Sequence, residues 1–145
     1  MSNLENKLKK IIDTFNNVNK KIAFKEIKKL SEKYNKNINV QNIFYQISMK
    51  VGDIDTSINA LKKILFIDKN NILYLSQLYK LLLGKGLLDQ ALEKINSILE
   101  KDNKNYDALR DKSYIYFLKK DYIEAKKYIE NIPNLRDDDL SLIHI

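Results

Sequence analysis

Residues 86–105 read GLLDQALEKINSILEKDNKN. Within this stretch Ala91, Ile95 and Ile98 are four and three positions apart, which places their side chains on one face of a helix. The stretch opens on a glycine and closes on a run of Lys, Asp and Asn, which favours turns at both ends. It therefore predicts one amphipathic helix between two bends.

The same pattern recurs along the chain at a constant 34-residue step. A small residue stands at each equivalent of Ala91, and apolar residues stand four and seven positions later. The small column is Ala23, Ser57, Ala91 and Ala125; the two apolar columns are Ile27, Leu61, Ile95 and Ile129, then Leu30, Ile64, Ile98 and Ile132. A second apolar pattern, through Ile47, Leu81 and Ile115, precedes the small column. A unit of two amphipathic helices cannot bury its apolar face alone, so successive units are expected to stack.

These residues resemble the tetratricopeptide repeat (TPR) family. Gly86-x-Leu88-x-x-Ala91 is similar to the family's second-helix signature, and Lys120-x-Tyr122-x-x-Ala125 is a version without the glycine. The chain departs from the family at the first-helix tryptophan, which is replaced by Gln41, Leu75 and Leu109. The resemblance implies an all-α fold, a right-handed α-α superhelix (solenoid) of about four helix-turn-helix repeats.

The repeat step predicts a single TPR-like domain over residues 1–139. Its units span about 4–37, 38–71, 72–105 and 106–139. Residues 140–145 are interpreted as the start of a truncated helix or as a non-native tail. An uncovered apolar end of this kind would allow self-association.

Several polar residues lie where helices are expected to begin. Their side-chain oxygens can accept a hydrogen bond from a free N–H group of the first turn. These residues are Ser2, Asp53, Asn71, Asn105 and Asp121. The tyrosines at repeat positions are expected to pack in the core with their hydroxyls at the surface. They are Tyr45, Tyr79, Tyr116, Tyr122 and Tyr128.

The composition excludes several classes of chemistry. The chain has no cysteine, and its single histidine, His144, stands beside the C-terminus. There is no glycine-rich phosphate loop, and Gly84-Lys85-Gly86 is interpreted as a bend between helices. Asp137, Asp138 and Asp139 are interpreted as a solvated acidic loop rather than a metal site. We therefore expect no enzymatic activity, no cofactor and no metal, in a soluble cytoplasmic protein without a membrane span.

The function implied by the resemblance is protein–protein interaction, as a scaffold. In the family, the first helices of successive units line a concave groove that receives a peptide or a partner protein. On this sequence the groove-lining positions are Asn42, Gln46, Lys50, Ser76, Lys80, Arg110 and Tyr114. This set is polar and mildly basic, which suits an acidic or carboxylate-ended ligand. It matches the family's carboxylate clamp only in part.

Two alternatives remain open at the level of the sequence. Residues 1–37 carry ten lysines and only four acidic residues, so this repeat could bind nucleic acid or an anionic surface. Nucleic acid is the less favoured partner, because Phe24 is the only aromatic residue among the lysines at 20, 21, 25, 28 and 29. The other alternative is that the chain is the N-terminal fragment of a larger multidomain protein.

Overall fold

The chain is all-α. The computed structural model describes the backbone of residues 2–143 and the side chains of residues 2–140, and this described part contains helices and turns but no strand. Its helices are α1 (Asn3–Asn17), α2 (Lys20–Lys33), α3 (Ile38–Val51), α4 (Ile54–Ile67), α5 (Ile72–Gly84), α6 (Leu88–Lys101), α7 (Tyr106–Leu118), α8 (Tyr122–Ile129) and α9 (Asp137–Ile143). The first helices α3, α5 and α7 begin one repeat step apart, at Ile38, Ile72 and Tyr106.

The helices form two compact units, Met1–Tyr74 and Leu75–Ile145, here called the N-terminal and C-terminal units. In the N-terminal unit α2 packs on α1 and α3, and α3 packs on α4. In the C-terminal unit α7 packs on α6, α8 and α9, and α8 also contacts α9. The single domain over residues 1–139, with its four unit boundaries, stays a prediction.

The small-residue column lies in the core of both units. Ala23, Ser57, Ala91 and Ala125 are all completely buried, as are the residues four positions after each of them. In the next column Ile64, Ile98 and Ile132 are buried, while Leu30 is half-buried. A residue without a long side chain lets two helix backbones approach closely, and a larger one would overpack the contact. This explains why the column holds only alanine and serine.

The five predicted helix caps are confirmed. The side chain of each residue accepts a hydrogen bond from the backbone N–H three positions later, over distances of 3.0–3.3 Å. Asn19 and Asn37 cap α2 and α3 in the same way, although the sequence analysis did not single them out. Each cap contributes about 1 kcal/mol.

The last hairpin differs from the earlier ones because of Pro133. Helices α2, α4 and α6 have 14 residues each, whereas α8 has eight and ends at Ile129. Proline has no N–H to donate, and its ring clashes with the carbonyl four residues earlier, so α8 cannot continue through position 133. The chain then turns at Asn134, which has a positive φ, and α9 begins at Asp137.

The end of the chain is folded differently from the predicted acidic loop. Asp137, Asp138 and Asp139 form the first turn of α9, which packs on α7 and α8. Asp139 is only 1% exposed, so the solvated-loop interpretation is wrong for this residue. Leu140 is 40% exposed, and self-association through this end stays a prediction.

Candidate functional site

The predicted binding residues occupy the first helices of their hairpins. In the N-terminal unit Asn42, Gln46 and Lys50 follow one another at steps of four along α3, and therefore share a face. In the C-terminal unit the remaining four lie on α5 and α7. They are Ser76, Lys80, Arg110 and Tyr114. All seven are exposed or half-buried.

Gln46 and Lys50 meet in a small cleft between α1 and α3, here called the α1–α3 cleft. It has a volume of 100 Å³ and mixes apolar side chains with amides. Its lining is Ile12, Phe15, Asn16, Ile43, Gln46, Ile47 and Lys50. The Lys50 ammonium lies 5.5 Å from the centre of the Phe15 ring, within the range of a cation–π contact. Asn42 does not line this cleft.

Arg110 and Tyr114 meet in a second cleft, between α7 and α9, here called the α7–α9 cleft. Its volume is 280 Å³, and charged residues of both signs surround it. Its lining is Arg110, Asp111, Tyr114, Phe117, Arg136, Asp138 and Asp139. Tyr114, which is 42% exposed, offers a hydroxyl and a ring face at this surface.

The Arg110 guanidinium is already paired within the protein. Its Nε lies 2.8 Å from each carboxylate oxygen of Asp139, and its Nη1 lies 3.1 Å from Asp107. Asp139 also accepts a hydrogen bond of 2.9 Å from the backbone N–H of Arg136. A ligand carboxylate at this cleft would therefore compete with the protein's own aspartate.

The protonation of Asp139 follows from these contacts. Burial alone would raise the pKa of its carboxyl, but the backbone N–H of Arg136 and the Arg110 guanidinium outweigh burial and lower it. The carboxylate is thus held in its charged form, which strengthens its hold on Arg110.

A neighbouring pair was missed by the sequence analysis. The Tyr79 hydroxyl donates to Asp111 Oδ2 over 2.6 Å, and Tyr79 is 1% exposed, so its hydroxyl is not at the surface as predicted. Burial raises the pKa of Tyr79, and the carboxylate of Asp111 adds to that shift. Burial also raises the pKa of Asp111, against the opposing effects of the Tyr79 hydroxyl and Lys80. The separation of Tyr79 and Asp111 along the chain differs from the 34-residue repeat step, so comparing equivalent repeat positions could not predict this pair.

The other predicted tyrosines differ in exposure. Tyr45, Tyr116 and Tyr128 are half-buried, and the rings of Tyr116 and Tyr128 stack with centroids 5.6 Å apart. Tyr122 is 43% exposed, although its ring packs at 5.6 Å on Phe117. The core position is therefore wrong for Tyr122.

The N-terminal lysines are exposed, as a charged outer face requires. The lysines at 20, 21, 25, 28 and 29 are all exposed on α2. Phe24 is half-buried and packs edge-on against Phe44 with ring centroids 6.1 Å apart, so it is not free to stack on a base. Among the side chains of residues 2–140, no three acidic or histidine residues are grouped to hold a metal ion. His144 lies outside the described residues.

Solved structures with the same fold are TPR proteins. The chain aligns over 98% of its length with MamA, covering 79% of that chain, with a TM-score of 0.70 and 17% identity. It aligns over 97% of its length with a tetratricopeptide repeat protein from Parabacteroides merdae, with a TM-score of 0.75 and 19% identity, but spans only 57% of that chain. YrrB, a TPR protein with an unusual peptide-binding site, aligns with 86% of this chain and 64% of its own, with a TM-score of 0.67 and 18% identity.

No family model matches the sequence, and no curated protein matches it either. The structural likeness at this level of identity concerns the fold. The all-α, TPR-type helical repeat predicted from the 34-residue step is thereby confirmed. No helix in the described part of the chain is long and apolar enough to cross a membrane.

Proposed function

We propose that this protein is an interaction module that binds a peptide or partner protein through the first helices of its hairpins. The observation that carries the proposal is the pair of clefts at these helices, each lined by two of the residues singled out in the sequence. YrrB, which shares the fold, has a peptide-binding site, and this supports a peptide as the ligand. Clefts that join apolar and hydrogen-bonding groups are typical of peptide recognition.

The acidic character of the ligand is argued from the N-terminal unit. Lys50 is exposed at the α1–α3 cleft beside the amides of Asn16 and Gln46, and among the described residues no acidic side chain lines this cleft. An acidic side chain could pair there with Lys50 while an apolar neighbour rests on Ile12. The α7–α9 cleft contributes less to this preference, because Asp139 and Asp107 already neutralise Arg110.

The experiment that tests the proposal is selection of peptides from a displayed library, followed by affinity measurements on variants. Lys50→Ala and Lys80→Ala each remove an exposed cation from a first helix. We expect each to weaken binding about tenfold, the effect of losing one charge-assisted hydrogen bond. The matched controls are Lys62→Ala and Lys101→Ala, which remove exposed lysines from the second helices α4 and α6. Equal affinities for all four variants and the parent would reject the first-helix surface.

The basic N-terminal repeat defines the competing function. Its exposed lysines could bind the backbone of a nucleic acid, and such binding would weaken steeply as salt is raised. A titration with a random oligonucleotide at low salt separates the two functions. Tight binding that disappears at physiological salt would favour the competitor, and no binding at low salt would remove it.

A further inference from the structure

A larger cavity opens elsewhere in the N-terminal unit, between α2 and α4 and over the first half of α3. It is called the α2–α4 cavity. Its volume is 420 Å³, which lies in the range of about 300–1,000 Å³ common for small-molecule sites. Its lining is Lys28, Ser31, Glu32, Gln41, Phe44, Thr56, Asn59, Ala60 and Lys63. None of the seven predicted groove residues is among them.

Two cations and one anion border this cavity. Lys28 and Glu32 come from α2, and Lys63 comes from α4. The Lys28 backbone carbonyl accepts a hydrogen bond from the Ser31 hydroxyl, but within the part of the chain whose side chains are described no ion pair or hydrogen bond engages the charged side-chain group of any of the three. Two ammonium groups and a carboxylate are thus available to a ligand that carries charges of both signs.

Gln41 provides a third feature of the same cavity. Its side chain is completely buried, and its Nε2 donates to the carbonyl oxygens of Ser31 at 2.9 Å and Tyr34 at 3.3 Å. Its Oε1 is buried and accepts no hydrogen bond from any described residue. Buried carbonyl oxygens normally accept a hydrogen bond, so Gln41 Oε1 could accept one from an N–H group of a ligand. Gln41 also replaces the bulkier tryptophan that the family resemblance implies, and a smaller side chain leaves more room here.

The remaining residues that line the cavity are either apolar or polar and uncharged. Phe44 and Ala60 are buried and offer contact to a small aliphatic group. Thr56 and Asn59, both on α4, add a hydroxyl and an amide. The cavity therefore combines cations, an anion, a buried acceptor and a small apolar contact.

We propose that the α2–α4 cavity binds a small amino-acid group, namely a carboxylate together with an N–H donor and a short side chain. The carboxylate pairs with Lys28 and Lys63, the N–H group donates towards Glu32 and Gln41 Oε1, and the side chain rests on Phe44. This chemistry is shared by a free amino acid and by the C-terminal residue of a peptide. The proposal is independent of the proposed peptide-binding surface, since none of the seven predicted groove residues lines the cavity.

The test is an NMR titration of the full chain with three probes. These are free L-alanine, N-acetyl-Ala-Ala with a free carboxylate, and N-acetyl-Ala-Ala with a C-terminal amide. We expect one of the two carboxylate probes to shift the side-chain amide signals of Gln41 and Asn59, and the amide probe to leave them unchanged. Binding of L-alanine would identify a free amino acid as the ligand. Binding of N-acetyl-Ala-Ala with a free carboxylate would identify the C-terminal residue of a peptide. Saturation by the amide equal to that by the acid, or no binding by any probe at about 10 mM, overturns the proposal.

Variants connect the binding to the cavity. Lys28→Ala combined with Lys63→Ala is expected to weaken binding of the active probe at least tenfold. The control combines Lys29→Ala with Lys62→Ala, which removes the same charge from the adjacent exposed positions on the same two helices. It is expected to leave the affinity within about twofold of the parent. An equal loss in both double variants would show a general charge effect and would contradict the assignment.

Discussion

Two glycines of the repeat adopt a left-handed backbone conformation after the first helix of a hairpin, and in one hairpin a lysine takes this position. Gly52 and Gly86 adopt positive φ angles of 82° and 76° after α3 and α5. The next equivalent position, one repeat step after Gly86, is Lys120, with φ of 64°. A side chain in this left-handed region crowds its own backbone, whereas glycine does not.

We therefore expect Lys120→Gly to stabilise the protein. Relief of the backbone strain, reduced by the greater flexibility of glycine in the unfolded chain, should raise the free energy of unfolding by about 0.5–1 kcal/mol. Chemical denaturation measures this change. Gly86→Ala is the matched control and should destabilise by about 1 kcal/mol, although no atom of the described residues lies within 4 Å of an added Cβ. A loss of stability in Lys120→Gly would contradict the shared role of these positions.

The Tyr79–Asp111 pair predicts a dependence on pH. Because burial raises the pKa of Asp111 in the folded protein, its protonated form is favoured by folding, and its charged form lowers stability at neutral pH. Asp111→Asn keeps an oxygen that can accept from the Tyr79 hydroxyl but carries no charge.

The variant Asp111→Asn should therefore be more stable than the parent at pH 7. The difference should shrink as pH falls through the raised pKa towards the ordinary value of 3.8, because the parent then gains its proton. Unfolding curves of both proteins at several pH values measure the effect. An advantage that grows towards acid would have the opposite sign and would contradict this assignment.

At the scale of a helix, the short α9 is joined to α7 by an ion pair between Asp139 and Arg110. It has seven residues, which is too short for a helix to be stable alone. Its buried carboxylate at Asp139 binds Arg110 on α7 and the backbone N–H of Arg136. We infer that this contact fixes α9 to the C-terminal unit.

The variant Asp139→Asn should release α9. Removing one partner of a buried pair is expected to cost about 3 kcal/mol, because Arg110 loses its main counter-charge. Hydrogen exchange of the α9 amides should become fast, while exchange in α7 changes little. Asp137→Asn, an exposed change in the same first turn, is the control and should leave exchange as in the parent. Equal protection of α9 in both variants would show that other contacts hold it.

The same helix should respond to acid. The lowered pKa of Asp139 means that its contribution to stability is complete above the ordinary aspartate value of 3.8 and is lost as pH falls through the lower folded value. Protection of the α9 amides, measured relative to the intrinsic exchange rate at each pH, should therefore fall only below about pH 4. A loss of protection between pH 5 and 7 would point to a different titrating group.

At the scale of the whole molecule, the sequence predicts the fold better than the site. The 34-residue periodicity correctly predicts all four buried positions of the small column. Each second helix needs one small side chain where its backbone packs against a neighbouring helix. Periodicity cannot predict the ion pair between Arg110 and Asp139. Asp139 lies beside α7 only because α8 ends early, before Pro133, and the chain then turns back into α9. Periodicity also misses the α2–α4 cavity, because a repeat position indicates the size of the Gln41 side chain but not that its Oε1 is buried without a hydrogen-bond partner among the described residues.

The repeat packing that the 34-residue step predicts is tested most directly at Ala91. This member of the small column is completely buried on α6, so Ala91→Arg forces a long charged side chain into the packed interior. We expect the free energy of unfolding, measured by chemical denaturation, to fall by about 3 kcal/mol or more. The adjacent exposed change Gln90→Arg should stay within about 0.5 kcal/mol of the parent. If Ala91→Arg unfolds at the same denaturant concentration as the parent, the packing of helices through the small column at each 34-residue step is contradicted.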